Sequence, residues 1–391
     1  MADPRGLLSP GFLAVNLQLA LITAIAALFF IFFGYLSQLG IDPATAGFII
    51  SADALAALVV QPVIAPLVHA GTLRRWLLAG PLLLSGALFM LGRVTSPTWL
   101  AAARLLQGAG FIIVLAALVT LLVQFIPKEM SGRAFGWVSL VRLIPYALVP
   151  LLFERLAVSP ALFARLVNIA ALMALIPAAV LLFPRSRSTA AQESARPPGF
   201  AGLKQSLRAP AVMLLMGSAF LFFCGYSAIF FYLHPFGATR GIESGLFFTI
   251  ATLTMIAVRL SASWLFDRFN KVLFCALGLL IAAASCALLP LVETIRALFL
   301  LALCSGLGWG IAMPLQAAAM FDISAPPARA MNQNLLMVMM QAGFFAGPLI
   351  GGRLIQQAGY PALFLVLAGT TLAAALLAAA VRLPTAPGSS F

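Results

Sequence analysis

The chain has 391 residues, of which 63% are hydrophobic and only 8% are charged, and its formal net charge is +13. Soluble domains carry about 45–50% apolar and about 25% charged residues, so this composition excludes soluble enzymes, nucleic-acid binders, secreted disulfide scaffolds and disordered chains. A mean hydropathy of +1.09 predicts a polytopic membrane protein instead. At roughly 20 apolar residues per span, plus loops, the length accommodates about 12 spans.

Apolar runs and the breaks between them predict an all-α membrane protein with twelve transmembrane helices. The first run, 12–36, is too long for a cleaved signal peptide, so we expect a retained helix. The polar, basic and proline-rich stretch 185–210 predicts a linker between two six-helix bundles, 1–184 and 211–391. The predicted spans are 11–37, 43–69, 76–94, 98–125, 134–156, 160–183, 211–236, 243–266, 272–290, 294–320, 332–357 and 361–382.

The distribution of basic residues predicts the orientation of the spans. With both termini in the cytoplasm, fourteen of the 23 Lys and Arg residues lie on the cytoplasmic side and six on the outer side. This bias follows the positive-inside rule, so the net charge needs no nucleic-acid partner and the cell (inner) membrane is the expected location. Four cysteines lie in apolar runs without metal-ligand spacing, which predicts core packing and no metal: Cys224, Cys275, Cys286 and Cys304.

Asp53 is the only carboxylate deep inside a predicted span. It lies ten residues after Pro43, which at 1.5 Å per residue is about 15 Å into a core about 30 Å thick. An ionisable group at this depth marks a functional site by default. Asp53 would suit reversible protonation coupled to a conformational change. It could instead be paired permanently with an arginine, or be hydrated without coupling.

Three arginines also lie well inside spans. Arg104 on the fourth helix shares a face with Gln107, and the alternative to a chemical role is helix packing. Arg142 on the fifth helix precedes Tyr146 by one turn, a pattern typical of carboxylate or phosphate binding, although an ion pair with Asp53 or Asp267 is equally open. Arg259 on the eighth helix can extend to the inner surface or pair with Asp267. Three cations against one anion favour an anionic or zwitterionic substrate.

Further polar and aromatic side chains could line a substrate cavity. They lie on the first, seventh, tenth and eleventh predicted helices: Asn16 and Gln18; Tyr226, Tyr232 and His234; Trp309 and Gln316; Asn334 and Gln341.

An internal repeat relates the two halves at an offset of 198 residues. Four glycines of the first half fall on glycines of the second, and "PLLFERL" at 150–156 falls on "PLIGGRL" at 348–354. At the same offset His69 falls on Asp267. The halves therefore share one topology, and we expect them to be related by a pseudo-two-fold axis along the membrane normal with the substrate site between them. The glycine pairs are Gly47 with Gly245, Gly80 with Gly278, Gly108 with Gly306, and Gly110 with Gly308.

The chain resembles the major facilitator superfamily over essentially its whole length. "RLLQGAG" at 104–110 is similar to the fourth-helix RxxQGxG motif, and "SASWLFDRFNKV" at 261–272 to the inner-loop GxxxDRxxxR motif, with Ser263 in place of the usual glycine. The first-half copy, "APLVHAGTLRR", has His69 in place of the aspartate. "GPLIGG" at 347–352 is similar to the exporter motif but lies on the eleventh helix instead of the fifth.

The resemblance implies a secondary active transporter that works by alternating access between two six-helix bundles. It implies proton handling by Arg104 as the partner of Asp53, and control of the inner gate by a cluster of His69, Asp267, Arg268 and Lys271. No Walker motif is present, so the proton gradient is the expected energy source. Neither enzymatic activity nor a cofactor is expected.

The two exporter-like motifs favour proton-coupled efflux of a small organic molecule that is anionic or amphipathic. Because the fifth helix lacks the exporter motif, uptake or facilitated diffusion of an organic anion stays open as the first alternative. Lipid flipping, and a non-transporting receptor on the same fold, are the others. The expected partners are a small-molecule substrate, protons and membrane lipid, and the expected state is a monomer.

Overall fold

A computed structural model of the chain describes residues 9–64, 67–68, 71–125, 131–153, 159–178, 206–261, 270–325 and 328–381. All regular secondary structure in these ranges is helical. The helices are α1 Pro10–Leu28, α2 Phe32–Gln38, α3 Pro43–Ile64, α4 Leu73–Leu91, α5 Pro97–Val123, α6 Ser131–Phe153, α7 Pro160–Met173, α8 Pro210–Thr239, α9 Gly245–Ser261, α10 Lys271–Leu288, α11 Ile295–Ile323 and α12 Arg329–Ala379.

These helices account for the twelve predicted spans. Helices α1 and α2 form one apolar segment, interrupted only by a 3₁₀ turn at Phe29–Ile31. Helix α12 contains two spans, because Gly359 in its middle has φ 74° and ψ −180°. This left-handed backbone costs glycine little and bends the chain between the two predicted spans. Nine segments of the described chain are long and apolar enough to cross a membrane, and 140–153 and 245–261 are shorter apolar helices. The predicted fold class is confirmed.

The internal repeat is visible in the packing of equivalent helices. A Cβ added at Gly108 of α5 would lie 2.6 Å from the Asp53 Cα of α3, and one at Gly306 of α11 would lie 2.8 Å from the Ala251 Cα of α9. Asp53 and Ala251 are themselves 198 residues apart, so the same crossing occurs in both halves. The same shift relates the contact of Gly80 with Ile113 to that of Gly278 with Ile311, and the contact of Gly110 with Leu84 to that of Gly308 with Ala282.

The chain divides into two compact units. Unit 1 comprises Met1–Ala190, Phe231–Thr249 and Pro348–Gln356, and unit 2 comprises Ala191–Phe230, Ile250–Gly347 and Gln357–Phe391. Within unit 1, α5 packs against both α3 and α4, and α1 packs against α6. Within unit 2, α10 packs along α11. The predicted boundaries of the two bundles, 1–184 and 211–391, stay a prediction.

Helix α3 begins at a capped turn. Gly40 adopts φ 74°, and the Asp42 carboxylate then accepts hydrogen bonds from the backbone N–H groups of Ala44 and Thr45 at 3.1 and 3.0 Å. With Pro43 as the first helical residue, this is a favourable N-cap arrangement. The hydrogen bonds from the Thr45 side chain and backbone lower the pKa of Asp42, because they stabilise its ionised form. The cap fixes the start of the helix that carries Asp53.

Candidate functional site

Asp53 and Arg104 form an ion pair between α3 and α5. The Arg104 Nη2 lies 2.7 Å from the Asp53 Oδ2. The two side chains differ in exposure, since Arg104 is 0% exposed and Asp53 is 33% exposed. The pair therefore has a fully buried cationic end and an anionic end with some accessible surface.

Arg104 has further partners in the described structure. Its Nη2 donates to the Ile50 carbonyl at 3.0 Å, one turn before Asp53, and its Nη1 donates to the Gln107 Oε1 at 2.6 Å. The guanidinium carbon also lies 4.3 Å from the ring centroid of Phe29 and 5.3 Å from that of Phe32. Aromatic faces attract cations, and desolvation strengthens the attraction. These contacts can hold the guanidinium in place even when Asp53 carries no charge.

The close crossing of α3 and α5 allows this geometry. Gly108 packs directly on the backbone of Asp53, where an added Cβ would collide with the Asp53 carbonyl oxygen. Arg104 lies one turn earlier on the same face of α5, so its side chain meets α3 at the level of Asp53. The sequence predicts that Arg104 and Gln107 share this face. Phe29 and Phe32 belong to the run FFIFF at 29–33, and nothing else in the sequence predicts that they contact Arg104.

Arg142 and Tyr146 lie near this ion pair. Tyr146 of α6 interacts electrostatically with Arg142, one turn earlier on the same helix, and with Asp53. The described residues place Asp53 in an ion pair with Arg104 instead of Arg142. Arg142 is partly buried, and its Nε has no hydrogen-bond partner among the described residues. The cluster of Asp53, Arg104, Arg142 and Tyr146 thus contains two cations and one anion.

Asn16 and Gln18 on α1 are buried with incomplete hydrogen bonding. The Asn16 Nδ2 donates to the Phe12 carbonyl at 2.8 Å, but the Asn16 Oδ1 and the Gln18 Oε1 have no partner among the described residues. Buried polar atoms normally have partners, so each of these oxygens is available to a water molecule or a ligand.

Two other predicted cavity residues make hydrogen bonds within the protein. The Tyr232 hydroxyl, fully buried, donates to the Pro348 carbonyl at 2.6 Å inside unit 1. The Gln316 Nε2 donates to the Ser218 Oγ at 3.3 Å inside unit 2, and Gln316 is buried too. In this conformation both groups serve helix packing. Gln341 on α12 is partly buried and Asn334 is exposed.

The 3₁₀ turn in the first span has contacts on two sides. Phe29 stacks on Arg104, whereas the next residue, Phe30, has its ring centroid 4.7 Å from His234 and 5.2 Å from Phe248. The His234 Nδ1 lies 3.3 Å from the Ser244 Oγ. All of these residues belong to unit 1. The turn therefore links the surroundings of the ion pair to the segment Phe231–Thr249.

Of the predicted gating residues, only Lys271 lies in the described part. His69, Asp267 and Arg268 lie outside the described residues. The Lys271 Nζ pairs with the Asp322 Oδ2 at 2.8 Å, and both side chains are partly exposed. Sequence analysis missed Asp322. Its position just past the predicted end of the tenth span, on the same side as Lys271, was the available signal.

Sequence and structure comparisons agree with this architecture. The sequence profile of the Major Facilitator Superfamily matches residues 13–330 and also 243–391. Comparison with curated protein sequences gives no match.

Three solved structures are similar in fold at low identity. A bacterial homolog of the human lysosomal transporter Spinster, in an inward-facing and unoccupied conformation, has 16% identity and a TM-score of 0.72, covering 97% of both chains. The nucleoside transporter NupG has 17% identity and a TM-score of 0.70, covering 95% of this chain and 99% of its own. The human organic anion transporter MFSD10 (TETRAN) has 16% identity and a TM-score of 0.66, covering 94% and 98%. The chain is a multi-pass membrane protein that belongs to the major facilitator superfamily, a family of transporters of small molecules.

Proposed function

We propose that the protein couples proton movement to the transport of a small organic anion or amphipathic molecule, with export as the direction. Asp53 is the proton carrier and Arg104 is its partner. The observation that supports this most is the unequal exposure of the pair, with a third of the Asp53 side chain open and Arg104 sealed. A proton carrier has to be reached by water, whereas its partner has to stay in place.

The partners of Arg104 make a protonation cycle feasible. A buried charge left without compensation is strongly destabilising, so neutralising Asp53 would ordinarily expel the guanidinium. Here the Ile50 carbonyl, the Gln107 amide oxygen and two aromatic faces remain as partners. The cost of protonating Asp53 is therefore reduced without moving Arg104 far.

Arg142 and Tyr146 are the proposed binding groups for the negative end of the substrate. A guanidinium binds a carboxylate through two parallel hydrogen bonds, and the phenol can add a third. The excess positive charge of the cluster favours an anion. The similarity in fold to a protein described as an organic anion transporter is consistent with this substrate class.

The direction of transport has two candidates. The motifs at 104–110 and 347–352 favour export, which requires exchange of substrate for protons. Uptake is the second candidate, because an anion bound at Arg142 would favour the protonated form of Asp53, so that proton and anion would bind together.

We further propose that the protein works as a monomer in the inner membrane, with both termini in the cytoplasm. Asn16 and Gln18 are proposed as further substrate-binding residues of unit 1, and Tyr226, Trp309 and Gln341 as substrate-binding residues of unit 2.

Proton exchange on ligand binding tests the proposal. Detergent-purified protein in weak buffer is mixed with a panel of ionised aromatic and aliphatic carboxylates and sulfonates, and the pH change is recorded for wild type and Asp53→Asn. Asp42→Asn is the matched control, because it removes an exposed carboxylate while asparagine preserves the helix cap. We expect a signal in wild type and the control, and none in Asp53→Asn.

The sign of the signal distinguishes the two directions. Proton release on binding indicates exchange and supports export, whereas proton uptake by the protein indicates co-binding and supports import. Anion binding without proton exchange in any variant would refute coupling through Asp53. Transport into oriented proteoliposomes under an imposed pH gradient then confirms the direction.

A further inference from the structure

A second group of side chains converges inside unit 2, away from the Asp53 cluster. Tyr226 lies near the middle of α8, Trp309 near the middle of α11, and Phe344 on α12. Arg259 of α9 reaches the same place, because its guanidinium contacts Met313, one turn beyond Trp309 on α11. We refer to these four residues, with Phe223 and Met313, as the aromatic–arginine cluster.

The aromatic rings of the cluster are arranged edge to face. The Tyr226 ring centroid lies 4.8 Å from that of Trp309, at an interplanar angle of 75°, and 6.0 Å from that of Phe344, at 78°. Phe223 lies 5.8 Å from Phe344 and 6.2 Å from Tyr226. Trp309 is buried, whereas Tyr226, Phe344 and Phe223 are only partly buried. The buried indole thus packs against Tyr226, and the other three rings keep some accessible surface.

Arg259 supplies positive charge at this aromatic wall. Its Nη2 lies 3.9 Å from the Met313 Sδ, and Met313 is one turn beyond Trp309 on α11. A thioether is a weak acceptor, so this contact helps to orient the guanidinium. The Arg259 side chain is partly buried, as are those of Tyr226 and Met313. An intramembrane arginine is costly, and its contact with Met313, one turn from Trp309, points to a binding role.

The repeat allows part of the cluster to be compared with equivalent positions of the first half. At the offset of 198, Arg259 corresponds to Gln61 and Trp309 to Phe111. Conversely, Asp53 and Arg104 correspond to Ala251 and Ala302. At equivalent positions of the same helix packing, one half thus has an ion pair where the other has two alanines, and the other has an arginine where the first has a glutamine. The two halves therefore share their helix packing and differ in the side chains at equivalent positions.

We propose that the aromatic–arginine cluster binds a planar aromatic ring of the substrate together with an anionic group attached to it. Tyr226, Phe344 and Phe223 contact the ring through edge and face interactions. For this class of substrate Arg259 is a second anion-binding guanidinium, distinct from Arg142, and it binds the carboxylate or sulfonate with its planar fork. The flexible Met313 adapts to different ring sizes. The inference rests on the proposed function, since it narrows the organic anion to an aromatic one.

Equilibrium binding to the purified full-length protein tests the cluster with three related probes. These are 2-naphthoate, its saturated analogue decahydro-2-naphthoate, and the neutral 2-naphthamide. We expect wild type to bind 2-naphthoate about tenfold more tightly than either analogue, since one aromatic contact set or one charge-assisted pair is worth about that factor.

Substitutions separate the two preferences. Arg259→Gln should reduce the preference for naphthoate over naphthamide although Arg142 is intact, and Arg259→Lys should retain it. Tyr226→Leu should abolish the preference for naphthoate over its saturated analogue, and Tyr226→Phe should retain it. Arg296→Gln and Phe299→Leu are matched controls, because both residues are exposed outside the cluster and should leave both preferences unchanged.

The outcomes separate this inference from the proposed function. Equal binding of the three probes by wild type, or an undiminished anion preference in Arg259→Gln, would overturn the cluster as a binding site, even if proton exchange depends on Asp53. Both preferences present, with proton exchange unaffected by Asp53→Asn, would leave the cluster standing and refute the coupling.

Discussion

Removing Asp53 should destabilise the protein more than removing Arg104, although the two residues form one ion pair. In Asp53→Asn the guanidinium keeps its charge in a place where the side chain is 0% exposed. In Arg104→Met the remaining carboxylate is one-third exposed and can recruit water. Methionine also fills much of the volume that the arginine stem leaves against Phe29.

The expected magnitudes follow from these environments. Leaving one partner of a buried pair alone costs about 3–5 kcal/mol. The Ile50 carbonyl, Gln107 and two aromatic faces remain for Arg104, so Asp53→Asn should cost about 3 kcal/mol, at the low end of that range. Solvent reduces the cost of a lone Asp53, so Arg104→Met should cost about 1–2 kcal/mol.

Thermal unfolding of the detergent-purified variants measures this difference. Asp53→Asn should have the lower midpoint, and the double variant Asp53→Asn/Arg104→Met should be more stable than Asp53→Asn, because no uncompensated cation remains. A lower midpoint for Arg104→Met than for Asp53→Asn would refute the argument from exposure. It would mean that the contacts of Arg104 matter for packing and that its charge is not desolvated.

Three further predictions concern other parts of the fold. Asp42→Ala should lower stability by about 1 kcal/mol through loss of the α3 cap, and Asp42→Asn should not. Folding lowers the pKa of Asp42, so the ionised carboxylate stabilises the folded state at any pH above its unfolded pKa of about 3.9. This stabilisation is lost as the pH falls through the lower pKa of the folded state. Wild type should therefore lose some stability over this acidic interval, and Asp42→Asn should not. A double-mutant cycle on Lys271 and Asp322 should give a coupling of at most about 1 kcal/mol that decreases with salt, and a larger, salt-independent value would contradict the partial exposure of the pair. Gly108→Ala should sharply reduce stability and the yield of folded protein, because the added Cβ would collide with the α3 backbone. Gly34→Ala is the control and should reduce neither, because a Cβ there would have no neighbour within 4 Å. Equal yields of the two variants would contradict the close crossing of α3 and α5.

The fold of this chain follows from the sequence to a large degree. In a bilayer the backbone must satisfy its own hydrogen bonds, so long apolar runs become helices and their ends are set by local breakers. Pro43, Pro97 and Pro160 begin helices in the structure, and Gly359 bends the chain between the last two spans. The offset of 198 could also be read from the glycines alone. The structure then explained it, because those glycines lie where helix backbones touch.

The candidate site could be predicted only in part. Burying a charge in a membrane is costly whatever its partner, so Asp53, Arg104, Arg142 and Arg259 stand out in the sequence. The sequence also gave their depths along the helices. It did not show that Asp53 pairs with Arg104 and not with Arg142, since that choice depends on how each helix is rotated about its axis.

Other contacts were decided by tertiary structure alone. Tyr232 looked suited to a cavity, yet its hydroxyl donates to the Pro348 carbonyl. Lys271 pairs with Asp322, 51 residues away, and Tyr226 meets Trp309 from another helix. Hydropathy fixes where a helix starts, where it ends and how deep each residue lies. Which side chains meet depends on the rotation and crossing of neighbouring helices, and these are set by packing across the whole bundle.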